Sequence, residues 1–237
     1  MVGARESLIL SRREVVLGLA IAPLASCAPA RPDKDVPFVP ARQAASMPQG
    51  DPKRLVELVK LDPTIRLDMR YATTNNFTGR ALYSEARAFL TVTAAQALVR
   101  ASASAKAEGF GLTIYDAYRP WRVTKQLWEA TPIGPKKNYV ANPKRGSKHN
   151  RGCAADLTLH DLKTGILAEM PTEFDDFSEK AHRDYAGASA IATANRARLQ
   201  RYMEAQGFVG LSNEWWHFDF TGWESYPVMD VPFDRIV

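Results

Sequence analysis

The chain has 237 residues, of which 46% are apolar and 24% are charged, a composition typical of a globular protein with a buried core. Its formal net charge is +5, but the basic residues are scattered along the chain. A nucleic-acid-binding protein would show a basic stripe with interleaved aromatic residues, so the composition argues against that class. Only two cysteines are present, too few for a disulfide framework.

Residues 1–26 are predicted to be an export signal. The pair Arg12-Arg13 precedes an apolar run over 15–24, which is too short to span a bilayer and is typical of a signal-peptide core. The pair resembles a twin-arginine signal, and the four residues ending in Cys27 resemble a bacterial lipobox. We therefore expect a lipoprotein anchored through Cys27 on the periplasmic side of a membrane. The alternative, a buried N-terminal helix, is disfavoured by the prolines in this stretch.

Residues 27–52 are predicted to be a tether. Six prolines occur between 29 and 52, and such a stretch is semi-extended and cannot build a core. Residues 53–237 are numerous enough for one domain. No second apolar segment of the sequence is long enough to cross a membrane, so we expect the protein to be held at the surface.

Periodicity and turn residues predict the elements of this domain. Alternating apolar and polar residues predict two short strands within 54–71, on either side of a turn at Asp62-Pro63. An alanine-rich run predicts a helix over 94–107, with Thr91 or Thr93 as its N-cap. The remaining predictions are strand 110–118, helix 121–130, a surface loop over 131–148, strand 153–159, helix 188–206 and a last strand that runs into 214–218.

The predicted helices and strands are mixed without a regular βαβ period. This order predicts an α+β fold, in which a single domain has a central, largely antiparallel sheet flanked by helices.

Asp156 lies in a run of small and apolar residues that is predicted to be a buried strand. An ionised carboxylate removed from water is costly unless a cation or hydrogen-bond donors meet it. His149 stands seven residues earlier, next to Arg151-Gly152, and this glycine lets the backbone turn into the strand. His217 lies in the predicted last strand. Two histidines and one carboxylate are a ligand set that catalytic zinc uses. Backbone hydrogen bonds or a paired arginine are the alternatives for Asp156 at this point.

Glu214 precedes His217 by three residues. On an extended chain the two side chains would point to opposite faces, so a bend near Ser212-Asn213 is needed to bring both to one cavity. In such a cavity, Glu214 could accept a proton from a water activated by a metal. The alternative is a surface glutamate before an aromatic strand.

Arg119 ends the predicted strand 110–118. A fixed guanidinium in a dry site can stabilise the oxyanion of a tetrahedral intermediate. The alternative is an arginine that pairs with Asp116 for structural reasons.

Several short motifs occur together in the predicted domain. They are Tyr71-Ala72-Thr73, Asn76-Phe77-Thr78-Gly79, Asp116-x-Tyr118-Arg119-Pro120, Ser147-x-His149-x-x-Gly152-x-Ala154-x-Asp156-Leu157-Thr158-Leu159 and Glu214-Trp215-Trp216-His217. In combination they resemble the zinc peptidase family that includes the D-Ala-D-Ala dipeptidases and the D,D-carboxypeptidases of cell-wall metabolism. The narrower resemblance is to the dipeptidases, and it runs from about residue 54 to residue 232. Cys153 departs from this pattern, since the vancomycin-resistance enzyme of the dipeptidase group has serine there.

The resemblance implies one zinc ion per chain, held in the cleft of the domain by His149, Asp156 and His217. It also implies that Glu214 is the general base and later the proton donor to the leaving amine. Arg119 is implied to stabilise the transition state.

The resemblance further implies two substrate contacts. Asp175 falls where the dipeptidases place an aspartate that receives the substrate ammonium, and Ser147 is implied to touch the substrate. His160 and His182 match no motif, and we expect both to be structural or surface residues.

The function implied by the resemblance is zinc-dependent hydrolysis of D-alanyl-D-alanine, or of a close D,D-dipeptide, in cell-wall peptide turnover. The enzymatic alternative is a D,D-carboxypeptidase or endopeptidase that trims peptidoglycan stem peptides through a more open groove. The non-enzymatic alternative is a lipoprotein that binds wall peptides without cleaving them, which the complete set of site residues argues against.

Overall fold

The computed structural model describes Asp51 and residues 53–236. The predicted signal peptide, Cys27 and nearly all of the predicted tether lie outside the described residues, so these features remain predictions. Within the described part of the chain, no helix is long and apolar enough to cross a membrane.

The described residues form seven strands and four α-helices. The strands are β1 (Leu55–Glu57), β2 (Arg66–Leu67), β3 (Phe89–Thr91), β4 (Phe110–Asp116), β5 (Ala154–Asp161), β6 (Phe208–Gly210) and β7 (His217–Phe220). The helices are α1 (Leu58–Leu61), α2 (Val92–Ala107), α3 (Trp121–Ala130) and α4 (Ala190–Glu204).

Five strands form the central sheet, in the order β2-β4-β5-β7-β6. Strand β2 is parallel to β4, and the other three pairings are antiparallel. Strands β1 and β3 pair with each other in a separate antiparallel sheet. The prediction of an α+β domain with a largely antiparallel sheet is therefore confirmed.

The predictions for the two ends of the domain were incomplete. The two strands expected within 54–71 are present, but α1 lies between them and they belong to different sheets, because β1 pairs with β3. The prediction of a single last strand was wrong, because the chain forms a hairpin of β6 and β7. Helix α3 has the predicted bounds. The loop over 131–148 contains a short 3-10 helix, Pro135–Tyr139.

Helix α2 begins two residues earlier than expected and lacks the predicted type of cap. Thr91 occupies the N-cap position, but its side chain makes no capping hydrogen bond. Its hydroxyl instead lies 3.8 Å from the Cys153 thiol, and both residues are fully buried. The side chain therefore contributes to packing rather than to helix initiation.

The hydrophobic core lies between the central sheet and helices α2 and α4. These helices contact each other, and between them they contact β4, β5 and β6. Leu98 and Leu199 on the helices and Leu112 and Leu157 on the strands are fully buried. Because a shift of one residue would turn such side chains toward the opposite face, their burial fixes the strand register.

Asp62 connects the start of the domain to helix α2. Its carboxylate is buried and accepts hydrogen bonds from Ser102 Oγ at 2.7 Å and from Lys106 Nζ at 2.8 Å. Burial would raise the pKa of Asp62, but these bonds and those from Thr64 outweigh it and lower the pKa below 3.8. The ionised carboxylate therefore stabilises the fold above the unfolded pKa, and the stabilisation is lost as the pH falls through the folded value.

Replacing Asp62 with asparagine should lower the free energy of unfolding by about 2–3 kcal/mol at pH 7, since bonds to a charged group are lost. Urea titrations between pH 7 and pH 2 should show the difference shrinking on acidification. The exposed Asp234 provides the control, and Asp234→Asn should change the stability by less than about 0.5 kcal/mol. A difference that is independent of pH would contradict the assignment.

Candidate active site

Strand pairing brings three ionisable side chains into one row across the sheet. Asp156 on β5 is the register partner of Asp116 on β4 and of His217 on β7. Residues directly opposite each other on neighbouring strands share a face of the sheet. All three side chains are buried, so three ionisable groups lie side by side in the interior of the protein.

His149 reaches this row from a short 3-10 helix, His149–Arg151, that ends at Gly152. Gly152 has a φ of 63°, and a Cβ there would lie 2.6 Å from Leu55 Cδ2. Glycine is therefore needed where the chain turns into β5, as the sequence suggested. Asn150 is fully buried and holds the turn, because its Nδ2 donates to the Arg119 carbonyl at 2.8 Å.

His149, Asp156 and His217 direct one ligand atom each toward a common point. His149 Nε2 lies 3.2 Å from His217 Nδ1 and 3.4 Å from Asp156 Oδ2, and His217 Nδ1 lies 2.9 Å from Asp156 Oδ1. Tetrahedral ligands at zinc distances would lie about 3.3 Å apart. The structure thus brings the three predicted ligands together with spacings that fit one metal ion.

Both imidazole rings are oriented by hydrogen bonds on their outer sides. His149 Nδ1 donates to the Ala117 carbonyl at 2.6 Å, and His217 Nε2 donates to Asp219 Oδ1 at 2.9 Å. The inner nitrogens, His149 Nε2 and His217 Nδ1, are therefore the atoms that would bind a metal at the shared point. Such partners fix the tautomer and the orientation of metal-binding histidines. Asp219 was not singled out from the sequence, although its spacing of two residues from His217 on one strand puts both on the same face.

The charges of this group favour a cation. Burial would raise the pKa of Asp156, but His149 and His217 hold it well below its usual range. Burial would lower the pKa of His217, but Asp156 and Asp219 raise it well above its usual range. The carboxylate is thus ionised, and the site stabilises positive charge beside it. The chemistry of these residues fits a bound metal cation.

Glu214 lies beside the three clustered residues, in the turn between β6 and β7 rather than on the expected strand. The backbone N–H of His217 donates to the Glu214 carbonyl. A further turn covers Ser212 and Asn213, where a bend was predicted. Glu214 Oε2 lies 3.8 Å from His217 Nδ1. Burial raises the pKa of Glu214 to about 7, so this carboxyl can both accept and donate a proton near neutral pH.

Arg119 pairs with Asp116, which is the structural alternative considered from the sequence, and its guanidinium also lies near Asp156. Its Nε and Nη2 lie 2.8 and 2.7 Å from Asp116 Oδ2, and Nη2 lies 3.7 Å from Asp156 Oδ2. Tyr83 donates to the other oxygen of Asp116 at 2.7 Å. Burial would lower the pKa of Arg119, but Asp116 keeps it well above its usual range. The structural ion pair therefore fixes a permanent cation next to the clustered ligands.

Asp175 lies on the same cavity, after the buried Phe174. Its φ of 61° is unusual for a residue other than glycine, and such strain is often found at functional sites. Tyr71 donates its hydroxyl to the carboxylate at 3.0 Å. Burial raises the pKa of Asp175 well above its usual range, and the negative charges of Asp156 and Glu214 add to the shift.

A cavity of about 680 Å³ opens over these residues. All seven residues predicted for the site line it, namely Arg119, Ser147, His149, Asp156, Asp175, Glu214 and His217. The hydroxyl of Ser147 accepts a hydrogen bond from the His149 N–H at 3.2 Å. Such a volume is in the range of small-molecule sites.

Three further residues considered from the sequence lie outside the cluster of ligands. Cys153 is fully buried, and burial raises the pKa of its thiol to about 11. His160 bonds to Thr113 Oγ1 at 2.9 Å, and His182 lies 3.2 Å from the Tyr139 hydroxyl.

Comparisons with known proteins agree with this arrangement. Residues 51–233 match the peptidase family model described as D-ala-D-ala dipeptidase. The D-alanyl-D-alanine dipeptidase of Escherichia coli K12 is 38% identical over 188 residues, which are 79% of this chain and 95% of that protein. Those of Enterococcus faecium and Streptomyces coelicolor are 37% and 34% identical, over 69% and 72% of this chain and 89% and 91% of their own lengths.

The family model covers most of the chain, and the relatives match along nearly their whole lengths. The chain therefore belongs to the D-Ala-D-Ala dipeptidase family of metallopeptidases.

Proposed function

We propose that this protein is a zinc dipeptidase that hydrolyses D-alanyl-D-alanine, or a close D,D-dipeptide, in cell-wall peptide turnover. The observation that carries the proposal is the convergence of His149, Asp156 and His217 in a cavity that also contains Glu214 and Arg119. The relatives are D-alanyl-D-alanine dipeptidases by name, which supports the same activity.

Zinc is the metal that this proposal assigns to His149, Asp156 and His217. Two imidazoles and one carboxylate form a set that leaves a fourth position open, as catalytic zinc sites do. A zinc ion held there supplies a Lewis acid that polarises the scissile carbonyl and acidifies the attacking water.

Glu214 is assigned the proton transfers. Its buried carboxylate would accept the proton of the attacking water and later give it to the leaving amine. A pKa of about 7 matches both steps, since an acid–base group works best when its pKa lies near the operating pH.

Arg119 is assigned the stabilisation of the oxyanion that develops on the scissile carbonyl. Its guanidinium is already desolvated and held by Asp116. A preorganised cation of this kind needs no reorganisation during the reaction, and removing one such donor typically costs 100- to 1,000-fold in rate. Asp116 acts as its positioning residue.

Asp175 is assigned the ammonium group of the substrate. The ionised form of the Asp175 carboxyl is disfavoured by desolvation and by the negative charges of Asp156 and Glu214, and a substrate ammonium would compensate that charge. A free dipeptide is favoured as the substrate over a stem peptide, because a stem peptide has an uncharged amide nitrogen at the corresponding position. Ser147, which lines the cavity, is assigned a further substrate contact.

The same proposal places the enzyme outside the inner membrane, where it would meet dipeptide released from the wall. Support comes from the arginine pair, the short apolar run and the lipobox-like residues that end in Cys27. A lipid chain on Cys27 would hold the domain at the membrane through residues 27–52.

The first test of the proposed function compares the zinc-loaded protein with its Glu214→Gln variant. The wild-type protein should cleave free D-Ala-D-Ala and lose activity on chelation, whereas the variant should be about 1,000-fold slower because it cannot accept a proton. Its zinc content should be unchanged. The exposed Glu129 provides the control, and Glu129→Gln should keep full activity.

A stem pentapeptide ending in D-Ala-D-Ala is assayed beside the dipeptide. Cleavage of the stem peptide with little activity on the free dipeptide would favour the D,D-carboxypeptidase alternative. Full activity of Glu214→Gln would contradict the assignment of the base.

The anchor is tested by replacing Cys27 with serine in the full chain. Because the lipid is attached to the cysteine sulfur, the variant should move from the membrane fraction to the exported fraction without the lipid label. Retention of the variant in the membrane fraction, in cells that express it at the wild-type level, would contradict lipid anchoring at Cys27.

A further inference from the structure

Charged groups of both signs line the cavity. Asp175 and Glu214 contribute carboxyl groups to its wall, whereas Lys148 and Arg151 are cations that both lie against the ring of Trp223. We propose that Lys148, supported by Arg151 and Trp223, receives the C-terminal carboxylate of the substrate. This inference rests on the proposed function and deepens it, since it specifies a short peptide with both ends charged.

Lys148 has donors available for a ligand. Its Nζ lies 3.2 Å from Asp219 Oδ2 and 5.2 Å from the centre of the Trp223 ring. An ammonium group carries three N–H donors, and Asp219 is the one carboxylate within ion-pair distance among the described residues. The side chain is 36% exposed, so a ligand in the cavity can reach the remaining donors.

Arg151 adds an uncompensated positive charge at the same place. Its guanidinium carbon lies 5.3 Å from the centre of the Trp223 ring, and its Nη1 donates to the carbonyl of Tyr226. No carboxylate of the described residues lies within ion-pair distance of it. Lys148 and Arg151 therefore outnumber Asp219, and their combined charge favours an anion.

Asp175 and Lys148, the groups proposed to bind the two charged ends of the substrate, flank the proposed metal site. The carboxylate of Asp175 interacts electrostatically with Asp156 and Glu214. Lys148 lies on the other side of His217, because Nδ1 of that ring faces Asp156 and Nε2 faces Asp219, which in turn contacts Lys148.

A substrate with its ammonium group at Asp175 and its carboxylate at Lys148 would have its peptide bond between them, beside Glu214 and Arg119. Opposite charges at the two ends also set the direction in which the peptide lies. A peptide in the reverse direction would bring each charged end to a group of its own sign, which is unfavourable.

The competing explanation is that Lys148 only orients Asp219, and through it His217. That role would affect every ligand of the site to the same degree. A carboxylate contact would affect only ligands that have the carboxylate, so D-Ala-D-Ala and its C-terminal amide separate the two explanations.

The experiment measures binding by calorimetry to the zinc-loaded Glu214→Gln protein, which keeps the ligands intact. We expect D-Ala-D-Ala to bind about 30-fold more tightly than D-alanyl-D-alaninamide, as expected for a hydrogen bond between charged groups. Adding Lys148→Met should weaken dipeptide binding about 30-fold and change amide binding by less than about two-fold. Lys148→Arg should retain most of the difference in affinity between the dipeptide and its amide.

The control is Lys144→Met. Lys144 lies in the same loop but does not line the cavity, so this variant should behave like the parent.

Equal weakening of both ligands by Lys148→Met, or no weakening of either, would overturn the inference, as would a parent that does not distinguish the two ligands. Zinc content, measured on every variant, shows whether His217 still holds the metal. Hydrolysis by the protein with Glu214 intact is measured separately. If that protein cleaved no dipeptide while the binding difference depended on Lys148, the proposed function would fail and the carboxylate site would stand.

Discussion

The register of strand β5 between β4 and β7 is the constraint on which the rest of the site depends. It places Asp156 opposite Asp116 on one side and opposite His217 on the other. Asp116 then fixes Arg119, and His217 meets His149 at the turn that Gly152 permits. The three clustered residues and the guanidinium of Arg119 are thus held by rigid elements of the fold. Sites built in this way keep their geometry without the substrate.

Charge compensation explains why these side chains occur together. Asp116, Asp156, Asp175 and Glu214 line or adjoin one cavity, and Arg119 is the permanent cation buried among them. Buried carboxylates are costly without partners. A metal ion would compensate Asp156, and a substrate ammonium would compensate Asp175. In the proposed function, these charges are left for the metal and the substrate to neutralise, which would link the binding of both to the stability of the site.

The sequence predicted the parts of this arrangement that follow from local pattern. The buried run around Asp156, the role of Gly152 and the bounds of helix α3 could be read directly. The hairpin of β6 and β7 was missed because its strands are short, and the turn that holds Glu214 interrupts any periodic pattern. Asp175 came only from the family resemblance, because its proximity to Tyr71 is a contact across 104 residues. The Lys148–Asp219 contact is likewise invisible without the fold.

The proposed site requires a metal ion, held by Asp156 together with His149 and His217, to compensate the charge of Asp156. The most direct measurement is a zinc titration of the metal-free protein against a chromophoric chelator, with Asp156→Asn beside it. One zinc ion should bind per wild-type chain, and the variant, while folded by circular dichroism, should bind at least about 100-fold more weakly, since even outer-shell changes cost 10- to 100-fold. A wild-type protein that binds no zinc, or a variant with unchanged zinc affinity, would contradict metal binding by Asp156.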